Sequence, residues 1–166
     1  MIPKIKTAPT STTPRVVLDT NVCLDLFVFR DPRWHTLHEA LLQGSVQAVT
    51  RADCRMEWTL VLAYEKFQLD VAKRLHLMAE FDALVTLLDA VTPCEDKPVK
   101  LPVCRDPDDQ KFLELAYTAG ASVLISKDKA LLKLGLKTAK AGLFRIMEPQ
   151  GWVTDALAQH IDTPLQ

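Results

Sequence analysis

A chain of 166 residues suits one domain with a sizeable core, and 48% hydrophobic with 25% charged residues is the balance of an ordinary globular protein. No apolar run approaches the ~20 residues of a membrane-spanning helix, which excludes a helical integral membrane protein. The formal net charge of −1 neither supports nor excludes a nucleic-acid partner, because an acidic cluster loaded with divalent cations cancels much of its own repulsion toward phosphate.

Residues 1–14 carry Lys4 and Lys6 but no apolar h-region, so they are expected to form a flexible tail and not a secretory signal, with residues 15–166 as the folded domain. Arg15 to Leu18 is the first expected strand, closed by Asp19, and Thr20 and Asn21 open a helix through about Phe29. Asp31-Pro32 is a cap followed by proline at the first helical position. The helix it starts sets Trp34, Leu37, Leu41 and Leu42 on one face and stops at Gly44. Val46 to Val49 is a second strand. Thr50 and Asp53 have the spacing of a capping box for a helix reaching Phe67.

Leu69 to about Leu88 is expected as a longer helix, with Val71, Leu75, Met78, Val85 and Leu88 along its apolar stripe. A short strand near Ala90 to Val91 and a linker with Pro93, Pro98 and Pro102 follow. Asp106-Pro107 repeats the cap-plus-proline start, for a helix that turns Phe112, Leu115 and Ala116 inward and ends at Gly120. Ser122 to Ser126 is the next strand, Asp128 to Leu134 a short helix closed by Gly135, Leu143 to Met147 a last strand, and Gly151 to Gln159 a terminal helix. Strands alternate with helices and no link is a hairpin, which implies an α/β fold: a parallel central sheet with helices on both faces.

Carboxylates mark the ends of these elements. Asp19 ends Val16-Val17-Leu18, and Asp128 comes two residues after Val123-Leu124-Ile125. Acids at the carboxyl ends of parallel strands line the crevice where such sheets bind ligands. A carboxylate there is expensive to bury unless it is paired or metal-bound, although for Asp19 and Asp128 a plain N-cap role stands equally open. Asp106, Asp108 and Asp109 exceed what capping one helix requires. Asp106 fits the cap, and Asp109, four before Leu113 and seven before Ala116, lies near the inward face. Glu57 sits at the margin of its helix's apolar stripe, and Asp25 is expected at the surface or behind the site.

Several acids without a His or Cys cluster make an oxygen-rich site suited to Mg²⁺ or Mn²⁺. His35 and His38 find no third ligand at zinc spacing. Cys23, Cys54, Cys94 and Cys104 show no CxxC pair, which fits reduced thiols in a cytosolic protein, so a cytoplasmic location is expected. Neither a GxGxxG nor a Walker loop occurs among the five glycines, which argues against dinucleotide enzymes and P-loop NTPases, and no GxSxG elbow supports a serine hydrolase. Lys127, Lys129 and Lys133 flank Asp128, either as a solvated basic face or as a rim holding a phosphate backbone.

Three segments resemble the PIN-domain family: Val17-Leu-Asp-Thr-Asn-Val22, Arg105-Asp-Pro-Asp-Asp-Gln-Lys-Phe-Leu-Glu-Leu-Ala116 and Gly120-Ala-Ser-Val-Leu-Ile-Ser-Lys-Asp-Lys-Ala-Leu-Leu132. Each is weak alone, but the three in this order are specific, and the resemblance covers Arg15 to Trp152. It is greatest to the bacterial branch of VapC-like toxin components of toxin–antitoxin systems. The resemblance implies a three-layer α/β/α sandwich and a metal-dependent endoribonuclease. It further implies an acidic set of Asp19, Glu57, Asp109 and Asp128 holding Mg²⁺ or Mn²⁺, with Asn21 and Ser126 in support. Ser126 stands where threonine is commoner and keeps the hydroxyl. Asp53 lies one turn from Glu57 and competes for its place, and Asp106 is a further possible member. A cognate antitoxin and a homodimer are the implied protein partners, with RNA as substrate and Lys127, Lys129 and Lys133 as its contacts. A PIN-like fold that binds RNA or protein without turnover is the alternative, and a phosphatase of small phosphoesters a weaker third.

Overall fold

The structure, a computed structural model, describes residues 13–89 and 99–161. Five strands form one fully parallel sheet: β1 (Arg15–Leu18), β2 (Gln47–Thr50), β3 (Val85–Leu87), β4 (Val123–Ile125) and β5 (Arg145–Met147), in the order β3-β2-β1-β4-β5. Val17 lies level with Val49 on one side and Leu124 on the other. The strands are almost wholly apolar because both faces are covered. Their alternation sorts side chains between two cores. Val16, Leu18, Ala48, Val123 and Ile125 enter one, while Val17, Val49, Leu124 and Ile146 enter the other.

Helices α1 (Thr20–Cys23), α2 (His35–Gln43), α3 (Ala52–Leu62), α4 (Val71–Leu84) and α8 (Pro149–Ile161) feed the first core, through residues such as Val22, Leu37, Trp58, Phe81 and Val153. The second is closed by α5 (Gln110–Thr118) and α6 (Lys129–Leu132) through Phe112, Leu113, Ala116 and Leu131. The remaining helix, α7 (Gly135–Lys140), packs on β5. From β1 the chain steps outward to β2 and β3, then returns to β4 on the other side of β1 and continues to β5. With crossovers of one hand, that change of direction moves the connecting helices to the opposite face, giving the three-layer α/β/α sandwich. It also puts the carboxyl ends of β1 and β4 at the topological switch point, where sheets of this kind form their ligand crevice.

The sequence-based expectations differ from the structure at several elements. Helix α1 runs into a π-helical segment, Leu24–Val28, in which the Phe29 N–H donates to the Leu24 carbonyl at 3.0 Å. Leu42 is 60% exposed, so the buried face of α2 is Leu37 and Leu41, preceded by Trp34. No Thr50–Asp53 capping box forms. The Thr50 hydroxyl turns to the Arg51 carbonyl, Asp53 is drawn to the Arg51 guanidinium, and α3 ends at Leu62 instead of Phe67.

The long helix expected from Leu69 to Leu88 is α4, capped by Asp70, followed at once by β3, so Val85 is a strand residue. Its core face is Leu77 and Phe81; Val71 and Leu75 are exposed. Both sets repeat at helical spacing, and Phe81 wins because it stacks on Trp58 at 5.3 Å between ring centroids. The strand expected at Ala90 to Val91, with Pro93 and Pro98, lies outside the described residues, as do residues 1–12. Gly135 starts α7 instead of closing a helix.

Candidate active site

Asp19 follows β1 directly, with its backbone N–H still bonded to the Ile125 carbonyl of β4 at 3.0 Å, so its carboxylate stands at the switch point. It caps α1 through Oδ1, which accepts from the Thr20 N–H at 2.7 Å. Oδ2 accepts from Asn21 Nδ2 at 3.2 Å and from the fully buried Ser126 Oγ at 2.6 Å. The same Ser126 oxygen accepts the Asp128 N–H at 2.9 Å, so one hydroxyl ties the ends of β1 and β4 together. Capping α1 is therefore compatible with standing among the other acids for Asp19. Burial raises its pKa, opposed by the Ser126 and Thr20 hydrogen bonds and reinforced by the charges of Glu57 and Asp128.

Asp128 caps α6, its Oδ1 accepting from the N–H groups of Ala130 at 2.7 Å and Leu131 at 3.3 Å. Asp109 ends the 3-10 turn Pro107–Asp109 that leads into α5, and its half-buried side chain accepts no hydrogen bond among the described residues. Its pKa is pushed up to about 7, first by burial and then by the charges of Asp19, Asp106, Asp128 and Glu57. Electrostatically, these acids share one region of negative charge that the pairing of Glu57 with Lys111 offsets in part. Asp106 is the exposed cap of that turn, accepting the Asp108 N–H at 2.9 Å.

Glu57 comes in from α3. Its Oε2 accepts from the Thr20 hydroxyl, and its Oε1 is 3.0 Å from Lys111 Nζ on α5. Asp53 points elsewhere, held by a two-pronged Arg51 contact at 2.7 and 2.8 Å that lowers its pKa. Arg51 also reaches Glu114 at 2.7 Å and so fastens α3 to α5.

Two residues of this region escaped the sequence analysis. In the sequence Thr20 marks no more than a helix start. Lys111 left one signal: a cation in the first turn of a helix opposes the macrodipole and needs a compensating carboxylate. Asp25 is buried, not at the surface. Its Oδ2 accepts from Trp34 Nε1 at 3.2 Å and pairs with Lys127 Nζ at 2.7 Å, while the Lys127 backbone N–H reaches Asn21 Oδ1 at 3.3 Å. Lys127 is thus committed to the segment behind Asp19. Lys129 and Lys133 are exposed and carry no ion pair among the described residues.

The donor set is all oxygen and carries surplus negative charge, which fits a hard divalent cation such as Mg²⁺ or Mn²⁺. Among the described residues, no three His, Cys, Asp or Glu side chains are gathered closely enough to hold a metal ion as they stand. No helix among the described residues is long and apolar enough to cross a membrane. A family model described as PIN domain matches residues 15–130. No curated protein and no solved structure gives a significant match.

Proposed function

The chain belongs to the PIN-domain family, and from that premise we propose that it is a metal-dependent endoribonuclease, the toxin of a toxin–antitoxin pair. The observation that carries the proposal is the charge state of the switch point. Acids from four separate segments of the chain act on one another there, and Asp109 is left without a hydrogen-bonding partner among the described residues, its pKa pushed up to about 7. A carboxylate that is buried first of all, and then set among like charges, is costly in a protein that only folds, and a divalent cation offsets that cost.

In this reading Asp19, Glu57, Asp109 and Asp128 are the acidic set, and Mg²⁺ or Mn²⁺, when bound, supplies Lewis acidity toward water and the leaving oxygen. The chain's own residues do the positioning. Ser126, Asn21 and the Thr20 N–H fix the Asp19 carboxylate. Ser126 also sets the start of α6, and with it Asp128. Because these contacts pre-exist, the Asp19 carboxylate and the start of α6 are held in place before any ligand arrives. Exposed Lys129 and Lys133 hold the RNA backbone from the rim. A cognate antitoxin and a second copy of the chain are the proposed protein partners, in the cytoplasm.

Binding of RNA or protein without turnover is the competing reading, and the lack of a ready-made three-acid grip among the described residues is what favours it. Incubating the purified protein with structured RNAs, with Mn²⁺ or with EDTA, separates the two. Cleavage is expected with Mn²⁺ only, and Asp19→Asn and Asp109→Asn are each expected to abolish it while the fold persists by circular dichroism. The double variant should be little worse than either single one, because the acids act as a unit. RNA bound but uncut under every condition would favour the binding module, and full activity in either single variant would remove the assigned site.

A further inference from the structure

The segment from Lys127 to Arg145 holds six basic residues against one acid, Asp128, a formal charge of +5 in a chain whose total is −1. After Asp128 the next acid is Glu148. Two of the six cations are committed, Lys127 to Asp25 at 2.7 Å and Arg145 to Asp155 at 3.1 Å. Lys129, Lys133, Lys137 and Lys140 are exposed, and none has a hydrogen bond or ion pair among the described residues. Arg30, Arg33, Arg51 and Arg55, by contrast, each pair with a carboxylate. The helix dipole favours Lys137 and Lys140 in the last turn of α7, but it does not account for a helix face without a single acid to pair with them.

Topology strings the four lysines in one direction. Strands β4 and β5 are parallel neighbours, with Val123 level with Arg145 and Ile125 level with Met147. The connection through α6 and α7 therefore starts at the carboxyl end of the sheet and returns to its amino end. Buried Leu131 and Thr138 hold it down, together with Gly135, where a Cβ would stand 3.0 Å from the Ile146 carbonyl oxygen. Lys129 and Lys133 each lie two positions from Leu131, and Lys140 two from Thr138, which is about 200° around a helix from the packed side. The lysines thus leave the rim at Asp128 and descend along edge strand β5.

We propose that Lys129, Lys133, Lys137 and Lys140 form one track for the phosphate backbone of RNA, running from the acids at the carboxyl rim toward the amino end of β5. The inference rests on the reading of RNA as substrate and adds its extent: a polynucleotide long enough to lie along α6 and α7, not a small phosphoester. A regular polyanion suits cations spaced along a line. A protein partner needs an apolar centre, and Leu136 is the one large apolar side chain exposed on these two helices.

Anisotropy of a labelled single-stranded RNA of about 16 nucleotides, in EDTA and at increasing salt, tests the track with no cleavage involved. Lys137→Gln with Lys140→Gln is expected to weaken binding and to flatten the log–log salt slope by up to about 1.4, at about 0.7 per phosphate contact on a single strand. Lys137→Arg with Lys140→Arg should restore the wild-type slope. Lys73→Gln, at an exposed lysine of α4, should leave it unchanged. An RNA of about four nucleotides should give the wild type a smaller slope, because it cannot span the track. An unchanged slope in the glutamine pair, an equal loss from Lys73→Gln, or tighter binding of an acidic peptide than of RNA overturns the inference. If the slope falls as expected but Mn²⁺ brings no cleavage, the track stands and the nuclease reading fails. Cleavage with an unaltered slope is the reverse outcome, and no RNA binding by the wild type removes both.

Discussion

Of the three lysines flanking Asp128, Lys127 is paired with buried Asp25, whereas Lys129 and Lys133 are exposed and unpaired among the described residues. Neighbours in sequence therefore have different prospects at the same rim. Converting Lys129 and Lys133 together to alanine is expected to weaken RNA binding about equally for all sequences and to flatten the log–log salt dependence by up to about two units, since each phosphate contact contributes about 0.7 on a single strand and about 0.9 on a duplex. Fluorescence anisotropy with labelled RNA at increasing salt measures the slope, and an unchanged slope would make these lysines ordinary solvated surface. Lys127→Ala should act differently, because it removes the ion pair of the buried Asp25 carboxylate and leaves it the Trp34 indole as hydrogen-bond donor among the described residues. Its expected effect is a lower melting temperature in the absence of any RNA.

Elements depend on such choices of partner as much as on periodicity. Helix α4 has two apolar sets at helical spacing, and only the one carrying Leu77 and Phe81 meets the aromatic cluster of Trp58 and Phe27. The cost of truncation should follow burial. Leu77→Ala is expected to lose about 2–5 kcal/mol of stability, the range for emptying a packed leucine site. Leu75→Ala, at an exposed position, should stay within about 0.5 kcal/mol. Urea denaturation of the two variants compares them directly, and equal losses would restore the stripe through Val71 and Leu75. A similar competition decides the start of α3, where the Arg51 guanidinium outbids a capping box for Asp53 with two charge-assisted hydrogen bonds.

At the scale of the whole molecule, sheet order and charge meet at one place. Asp109 has a folded pKa of about 7 against an ordinary 3.8, so the native state keeps a proton that the unfolded chain has released. Its contribution to stability is complete below the unfolded value and is lost as pH rises from there through about 7, and Asp19 shifts in the same direction. Metal-free protein should therefore melt at lower temperature at pH 8 than at pH 5.5, and Asp109→Asn should reduce that difference and melt higher at pH 8. Mn²⁺ is expected to reverse the trend in the wild type, adding about 2.7 kcal/mol at a hundredfold excess over its dissociation constant. Melts by scanning calorimetry, with EDTA and with Mn²⁺, measure both effects. A melting temperature insensitive to Mn²⁺ in the wild type would leave the four acids as caps and surface.

Local patterns sufficed for most of the alternation of strands and helices, for the parallel sheet, and for the proline-assisted starts after Asp31 and Asp106, but not for β3, whose residues read as the end of the preceding helix. They sufficed because apolar runs, caps and glycine stops are interactions between residues close in the chain. Asp19 and Asp128 were legible as candidates for the same reason, each following an apolar run that ends at the sheet's rim. Tertiary structure alone decided what depends on distant segments. It brought β4 beside β1 at the switch point, buried Asp25 under Trp34 and Lys127, turned Asp53 away to Arg51, and set Lys111 against Glu57 across 54 positions of sequence. The long-range electrostatics of a carboxylate are fixed by whichever groups the fold carries within a few ångströms of it, and sequence spacing does not contain that distance.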